Sequence, residues 1–494
     1  MPPEPVEVTY REPAEEFEAP DGFYEPPLMA IGDSLYNGVR SATINEQLAE
    51  ESTPAMVARA LGFDSFTTPD YPTHVLVDAE KWLRNVRALI NLPNRLVTLK
   101  ESVRENARAW VNMQKSTGPM TFDNLAVASS EVKDLIEVSH KDAKEKRNRI
   151  WRQSKGKDVF KWPLLDLHLA INSAFVLNPH QLAAFEDFRP IDWINLRKPK
   201  RLLINIGPNH GITNLSVDDG FANGKFRLAQ LPNEIDRLGA FIAQLPSEVE
   251  HIYFNNLLPP SAIANFMPPR DEDGNIPPPP GANNYFEFYE KRLATGYHRF
   301  SGEEMEEVDN YVAGISQATA DRFRAAVGAT RSVHIVDLGF LKQNFDGKHD
   351  RNQKVPLHGK RYSNNALVSA PSLIPFSKLG YFKRGGLFSL DNHHPSTLGY
   401  AILAEYLTQQ MSEAEGLEIP NPIDLNSIEL GLLEAIPNVW HLLPFLYLAY
   451  IRMKGGASTD DLTVEPEIAS QNAPENQENA FKAIDMLMRT NFSA

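Results

Sequence analysis

Leu28-Met29-Ala30-Ile31-Gly32-Asp33-Ser34-Leu35 decides how the rest of the chain is read. The apolar run Leu28–Ile31, stopped by a glycine, reads as a strand buried on both faces. Asp33 or Ser34 then stands where a side chain caps the helix that follows. A serine directly after a strand also lies at the carboxyl edge of a sheet, where open α/β sheets bind ligands. Its hydroxyl is inert until a base takes the proton. Cap and nucleophile are both open readings of Ser34 at this point.

Working outward, runs at Phe122–Val127, Arg201–Ile206, His251–Phe254 and Val333–Val336 read as further strands. Amphipathic stretches lie between them at Pro54–Leu61, Leu83–Trp110, Leu228–Leu245 and Glu303–Val327. Strands alternating with helices predict an α/β fold with a parallel sheet covered on both faces and doubly wound by right-handed crossovers. About 90 residues separate the first two strands, where a bare βαβ unit needs about 30. Helical or cap insertions are therefore expected at about 78–115, 131–195, 266–300 and 340–388, building a cap beside the site.

The 494 residues carry 49 Lys and Arg against 64 Asp and Glu, a net charge of −15. An acidic body repels nucleic acid, which is not expected as a partner. The absence of cysteine excludes disulfides, thiolate metal ligands and a thiol nucleophile. Residues 1–26, rich in Pro and Glu, are expected to be a disordered acidic arm. They lack the basic and apolar regions of a signal peptide, so the expected location is the cytoplasm, with export left open. Residues 27–413 read as one enlarged domain and 414–494 as a helical extension with a flexible tail. Within the extension, Ile428–Met453 is apolar but broken by Glu429, Glu434, Asn438 and His441, which argues against a membrane span. Pro277–Pro280 reads as a stiff loop, and Asp271–Asn275 as an acidic surface loop without the ligand pattern for calcium.

No G-x-S-x-G, P-loop, dinucleotide or H-E-x-x-H motif is present. The candidate base comes late. Asp391-Asn392-His393-His394-Pro395 precedes the helical stretch Ser396–Leu407, and a carboxylate three residues before an imidazole in a loop can fold onto its N–H. Either histidine is eligible on this ground. Gly207-Pro208-Asn209-His210 follows the third strand, where an asparagine amide can donate to a developing oxyanion, worth on the order of 3 kcal/mol. Asn124-Leu125-Ala126-Val127-Ala128-Ser129-Ser130 ends the second strand, and backbone N–H groups of a turn there can supply another donor.

Together these four segments resemble the GDSL, or SGNH, serine hydrolases. Gly32-Asp33-Ser34-Leu35 is similar to the block that names the family, Gly207-Pro208-Asn209 to its G-x-N block, and Asp391-Asn392-His393-His394-Pro395 to its D-x-x-H-P block. The resemblance implies a three-layer α/β/α, flavodoxin-like fold with a five-stranded parallel sheet. It implies Ser34 as nucleophile, His394 as base and Asp391 as its orienting carboxylate. It also implies an oxyanion hole from the N–H groups of Ser34 and Ser129 and the Asn209 amide, with Gly32, Asp33 and Gly207 in support. Two departures stand out: Ser129 replaces the family's usual glycine, and His210 replaces an aspartate after the third-block asparagine.

The expected activity is hydrolysis of a carboxylic ester, from a small molecule or a lipid, without metal or organic cofactor. Carbohydrate O-acetylesterase and acyltransferase activities use the same residues. A catalytically inactive binding module is the reading from another class. The apolar segment Val439–Tyr450 is a candidate acyl pocket or peripheral lipid contact. The aromatics of Trp151–Trp162 suit either sugar stacking or packing, with packing favoured.

Overall fold

Apolar runs that alternate in which face they turn to a core are held together at the centre of the computed structural model. Its described residues are 8–41, 43–78, 92–112, 114–217, 221–267, 285–291, 299–339, 367–369, 380–382, 387–389, 391 and 393–428. Strand β1 (Met29–Gly32) pairs in parallel with β2 (Arg201–Asn205), which pairs with β3 (His251–Asn255). After an antiparallel set of β4 (Phe266–Met267), β5 (Phe288–Lys291) and β6 (Arg299–Ser301), strand β7 (Ser332–Val336) returns to pair in parallel with β3. A separate pair, β8 (Leu367–Ser369) and β9 (Gly380–Phe382), completes the strands described.

The parallel sheet has four strands in the order β1-β2-β3-β7. A strand over Phe122–Val127, which would make five, does not form as expected. The segment runs along the free edge of β1 but makes only the bridge Ala30↔Asn124. Ala30 N–H donates to Asp123 O, and Leu125 and Val127 N–H donate to Ala30 O and Gly32 O. Asp123 N–H, which faces β1 and would carry the ladder on toward Leu28, is engaged elsewhere, while Asn124 and Ala126 N–H point away from β1. Asp123 and Asn124 N–H both donate to Thr67 O, and Ala126 N–H donates to Asn124 Oδ1.

Period-2 alternation puts a core on each face of the sheet. Met29, Ile31, Leu202, Ile204, Ile252 and Phe254 belong to one cluster, which takes in the helices Leu231–Ala243 and Gly302–Val327. Leu28, Ala30, Leu203 and Tyr253 belong to the other, under the helices Thr53–Ala60 and Thr397–Glu415. The insertion at 131–195 is helical: His140–Ser154 lies against Leu164–Leu177, and Pro190–Arg197 leads into β2. Leu92–Val111 is the described part of the helix expected from Leu83.

The expectation of a disordered N-terminal arm is corrected for residues 8–26. Arg189 donates to Thr9 O at 2.6 Å and Arg11 N–H to Asp192 Oδ1 at 2.9 Å. Phe17 meets the Phe185 ring edge-on at 4.9 Å, and the Arg197 guanidinium covers the Phe23 ring at 5.2 Å. Aromatic side chains spaced along an otherwise acidic, proline-rich stretch bury enough area to order it. Trp162 is buried, meets Trp151 edge-on at 5.6 Å and donates its indole N–H to Lys157 O, which is packing. Asp271–Asn275, Pro277–Pro280, Val439–Tyr450 and the tail from 429 onward lie outside the described residues. Among the described residues no helix is long and apolar enough to cross a membrane.

Candidate active site

The site begins where β1 and β2 come too close for a side chain. Gly32 has φ +146°, and a Cβ there would lie 2.1 Å from Asn205 O. Only glycine fits, and the chain then turns away with Asp33 N–H donating to Asn205 O at 2.9 Å. Asp33 caps the single turn Ser34–Asn37, its carboxylate accepting Leu35 N–H, and Gly38 ends the turn at φ +89°. Ser34 is 9% exposed at the mouth of this turn. Its hydroxyl makes no hydrogen bond among the described residues.

The base loop is a tight reversal: Ser389 N–H donates to His394 O and Ser396 N–H to Leu387 O, with Phe388 bridged to Pro395. This fold wraps donors around the Asp391 carboxylate. Oδ2 accepts His394 Nδ1–H at 2.8 Å, and Oδ1 accepts His393 N–H, His394 N–H and Ser389 Oγ–H, each at 2.9 Å. Burial opposes the charge, but the His394 imidazole and these donors outweigh it and hold the carboxyl below the ordinary range. The Nδ1 bond fixes the ring so that Nε2 is the nitrogen left to accept a proton.

Two contacts latch this loop to the Ser34 turn. Ser41 N–H donates to Ser389 Oγ at 3.1 Å. The Tyr400 hydroxyl, on the helix that follows His394, reaches Ser34 O at 3.2 Å and Val39 O at 2.5 Å. Residues roughly 360 positions apart in the chain therefore share one rim of the sheet.

The second and third segments meet at the same rim. Asn209 donates to Ser130 O at 3.0 Å and accepts from Thr213 Oγ at 3.2 Å. Among the described residues one of its two amide hydrogens has no acceptor. Ser129 is exposed and adopts φ +70°, the left-handed conformation glycine would take, with the strain of a Cβ. Gly207 has φ +128°, and a Cβ there would press on Leu257 and Leu231 at 2.8 and 3.0 Å. His210 is buried, with Nε2 at 2.9 Å from Glu234 Oε2.

Beneath the serine turn runs a buried polar chain that the sequence reading missed. Asn205 donates to Asp33 Oδ1 at 2.6 Å, Asn255 to Asn205 Oδ1 at 2.9 Å, and Tyr36 to Asn255 Oδ1 at 3.0 Å. Asn205 and Asn255 are the last residues of adjacent strands, so their register stacks them. The other Asp33 oxygen has no partner among the described residues. Burial, the largest effect, pushes Asp33 up to about 7, although Leu35 N–H, Asn205 and the charges of His394 and His210 oppose it. His168, from the insertion helix Leu164–Leu177, is pushed down to about 4 by burial and by the charge of His394. Four residues along, Asn172 accepts from the Tyr71 hydroxyl at 2.6 Å and donates to Asn37 at 3.2 Å. Polar residues four apart, His168 and Asn172, on a mostly apolar helix were the signal that could have found both.

Among the described residues no group of three His, Asp or Glu side chains is placed to hold a metal. Comparison with known proteins finds no matching family model, no similar curated protein and no similar solved structure.

Proposed function

We propose that the chain is a serine esterase or lipase of the GDSL/SGNH type, acting on a small-molecule or lipid carboxylic ester. The observation that carries the reading is the His394–Asp391 pair, latched by Ser389 and Tyr400 to the turn that presents Ser34. The reading takes the fold as a three-layer α/β/α sandwich, with residues 122–127 running in the edge position beside β1 where the family's fifth strand would pair.

In this mechanism His394 Nε2 removes the Ser34 proton as Oγ attacks the ester carbonyl carbon. The Asp391 carboxylate accepts Nδ1–H and stabilises the imidazolium that forms. The carbonyl oxygen gains the negative charge and is received by the Ser34 and Ser129 N–H groups and by the Asn209 amide. His394 then protonates the departing alkoxide, leaving the acyl group on Ser34. Water, deprotonated by the same ring, attacks the acyl carbon and frees the acid and the serine.

The departures from the family pattern are both accommodated. Ser129 keeps the left-handed backbone without a glycine, and His210 finds a carboxylate in Glu234. This weighs against the inactive-module reading. The test is stoichiometric labelling of Ser34 by a fluorophosphonate and turnover of a short p-nitrophenyl ester. Ser34→Ala should abolish both while the circular dichroism spectrum is unchanged. Turnover surviving in that variant would reject the assignment.

A further inference from the structure

On the esterase reading, on which this inference rests, two hydrogen-bonding side chains near Ser34 have no task in the reaction. One is His168, on the helix Leu164–Leu177, which runs antiparallel to the segment beside β1. Toward the end of that helix the Phe175 ring meets Phe122, where the segment begins, at 5.7 Å. Three residues earlier Asn172 donates to Asn37 Oδ1 at 3.2 Å, and Asn37 donates to Ala126 O at 2.9 Å. Moving back along the helix therefore moves up the segment, from Phe122 to Ala126 and on toward the turn at Ser129. His168 is one further turn along this line, about 6 Å beyond Asn172 and on the same helix face. Asn37 also closes the turn that Ser34 opens, so this line leads to the carboxyl rim of the sheet.

Neither ring nitrogen of His168 has a hydrogen-bond partner among the described residues. Nε2 is sealed from solvent, whereas Nδ1 of this half-buried ring reaches it. Burial and the charge of His394 hold the ring at about 4, so at pH 7 it is neutral, with one donor and one acceptor nitrogen. The other side chain is Ser129. Leu125 and Val127 N–H donate to Ala30 O and Gly32 O, and continuing that register by two puts Ser129 level with Ser34. Ser130 N–H donates to Val127 O, which makes Ser129, at φ +70°, the third residue of a tight turn. Its side chain is exposed, and its hydroxyl makes no hydrogen bond among the described residues. The oxyanion needs only the N–H of this residue, and glycine would present that N–H without strain.

A plain alkyl ester settling here would cover both groups with hydrocarbon and leave them unpaired, which costs binding. We propose that His168 and Ser129 select an ester that carries a hydroxyl near the ester bond, on its acyl or its alcohol part, with His168 Nδ1 and Ser129 Oγ as the partners of that hydroxyl. A hydroxyl donates and accepts, so it suits either tautomer of a neutral imidazole and the hydroxyl of a serine. A carboxylate or an ammonium on the substrate would find no opposite charge on these two side chains. Both are specificity residues and take no part in moving the proton between Ser34 and His394. Sites built to hydrogen-bond a substrate hydroxyl discriminate strongly against the analogue that lacks it.

The test measures kcat/KM of the full chain on propyl butyrate, on propyl 3-hydroxybutyrate and on glyceryl monobutyrate. The second ester carries the hydroxyl on the acyl part and the third on the alcohol part. One of the two should be preferred over propyl butyrate by about tenfold or more, and which one it is identifies the part recognised. His168→Leu and Ser129→Ala should each bring that ratio down to within about threefold of one, whereas His168→Gln, which keeps a donor and an acceptor, should retain most of it. A side chain that only packs would alter turnover of all three esters alike and leave their ratios as they were. Fluorophosphonate labelling of Ser34 in each variant shows that the site is folded, and the ratio in the unaltered protein stays decisive if a variant is not. Absence of labelling and of all turnover in the unaltered protein would remove the esterase reading, and this proposal with it. With the esterase active, ratios near one for both hydroxylated esters, or a preference that survives in His168→Leu or in Ser129→Ala, would overturn the proposal alone.

Discussion

Replacing Asp33 by asparagine should stabilise the protein in a manner set by pH. Asp33 is fully buried, one oxygen has no partner among the described residues, and its carboxyl is pushed up from 3.8 to about 7. Between those values the native state holds a proton that the unfolded chain has released, so stability falls as pH rises through the window and is level above it. About three pKa units at 1.36 kcal/mol each make the loss about 4 kcal/mol by pH 8. Asparagine reproduces the neutral acid: its carbonyl can still accept from Leu35 N–H and Asn205, and it never ionises. Urea unfolding of the full chain at pH 4, 5.5, 7 and 8 should therefore give a difference near zero at the lowest pH. The variant's advantage should grow to several kcal/mol at the highest. Asp33→Ala, which loses the cap, should cost about 1 kcal/mol at pH 4 and serves as the control. Parallel stability curves for Asp33→Asn and the unaltered protein would refute the claim that this buried carboxyl gives up its proton near neutrality.

Asn209→Ala should lower kcat on a short ester by roughly 10²- to 10³-fold with little change in KM, and a loss under threefold would return Asn209 to the role of a turn residue. Ser129→Gly should raise stability by about 1 kcal/mol, because glycine adopts φ +70° without a Cβ penalty; chemical denaturation measures it, and destabilisation would contradict the strain. Gly32→Ala should cost more than about 3 kcal/mol, since its Cβ would lie 2.1 Å from Asn205 O and the strands cannot part locally; a near-native melting temperature would show that the approach of β1 to β2 is looser than described.

Much was legible before any coordinates, for reasons of short range. The runs at Leu28, Arg201, His251 and Val333 are apolar on both faces, which only a sheet covered on both sides rewards, and all four strands formed within a residue or two of expectation. Gly32 before Asp33-Ser34 and the spacing of Asp391 to His394 are local patterns, and the turn and loop they specify are held by contacts no more than a few residues long. The segment Phe122–Val127 looked like the other strands, because its hydrophobicity is the same. Whether it entered a ladder depended in part on where the N–H of Asp123, which faces β1, found its acceptor, and that acceptor is the Thr67 carbonyl more than fifty residues away. The arm at residues 8–26 was misjudged for a similar reason: average composition hid three aromatic anchors whose sockets lie near residues 185–241.

Sequence alone determined which groups of this chain are chemically capable: a serine after a strand, a carboxylate three residues before a histidine, an asparagine after a glycine turn. Tertiary structure decided which of them meet. The Tyr400 hydroxyl on Ser34 O, the Ser389 link to Ser41 and the stack of Asn205 on Asn255 are made between segments 50 to more than 360 residues apart. Such contacts depend on strand register and helix placement, which are set by the whole core at once rather than by any window of sequence.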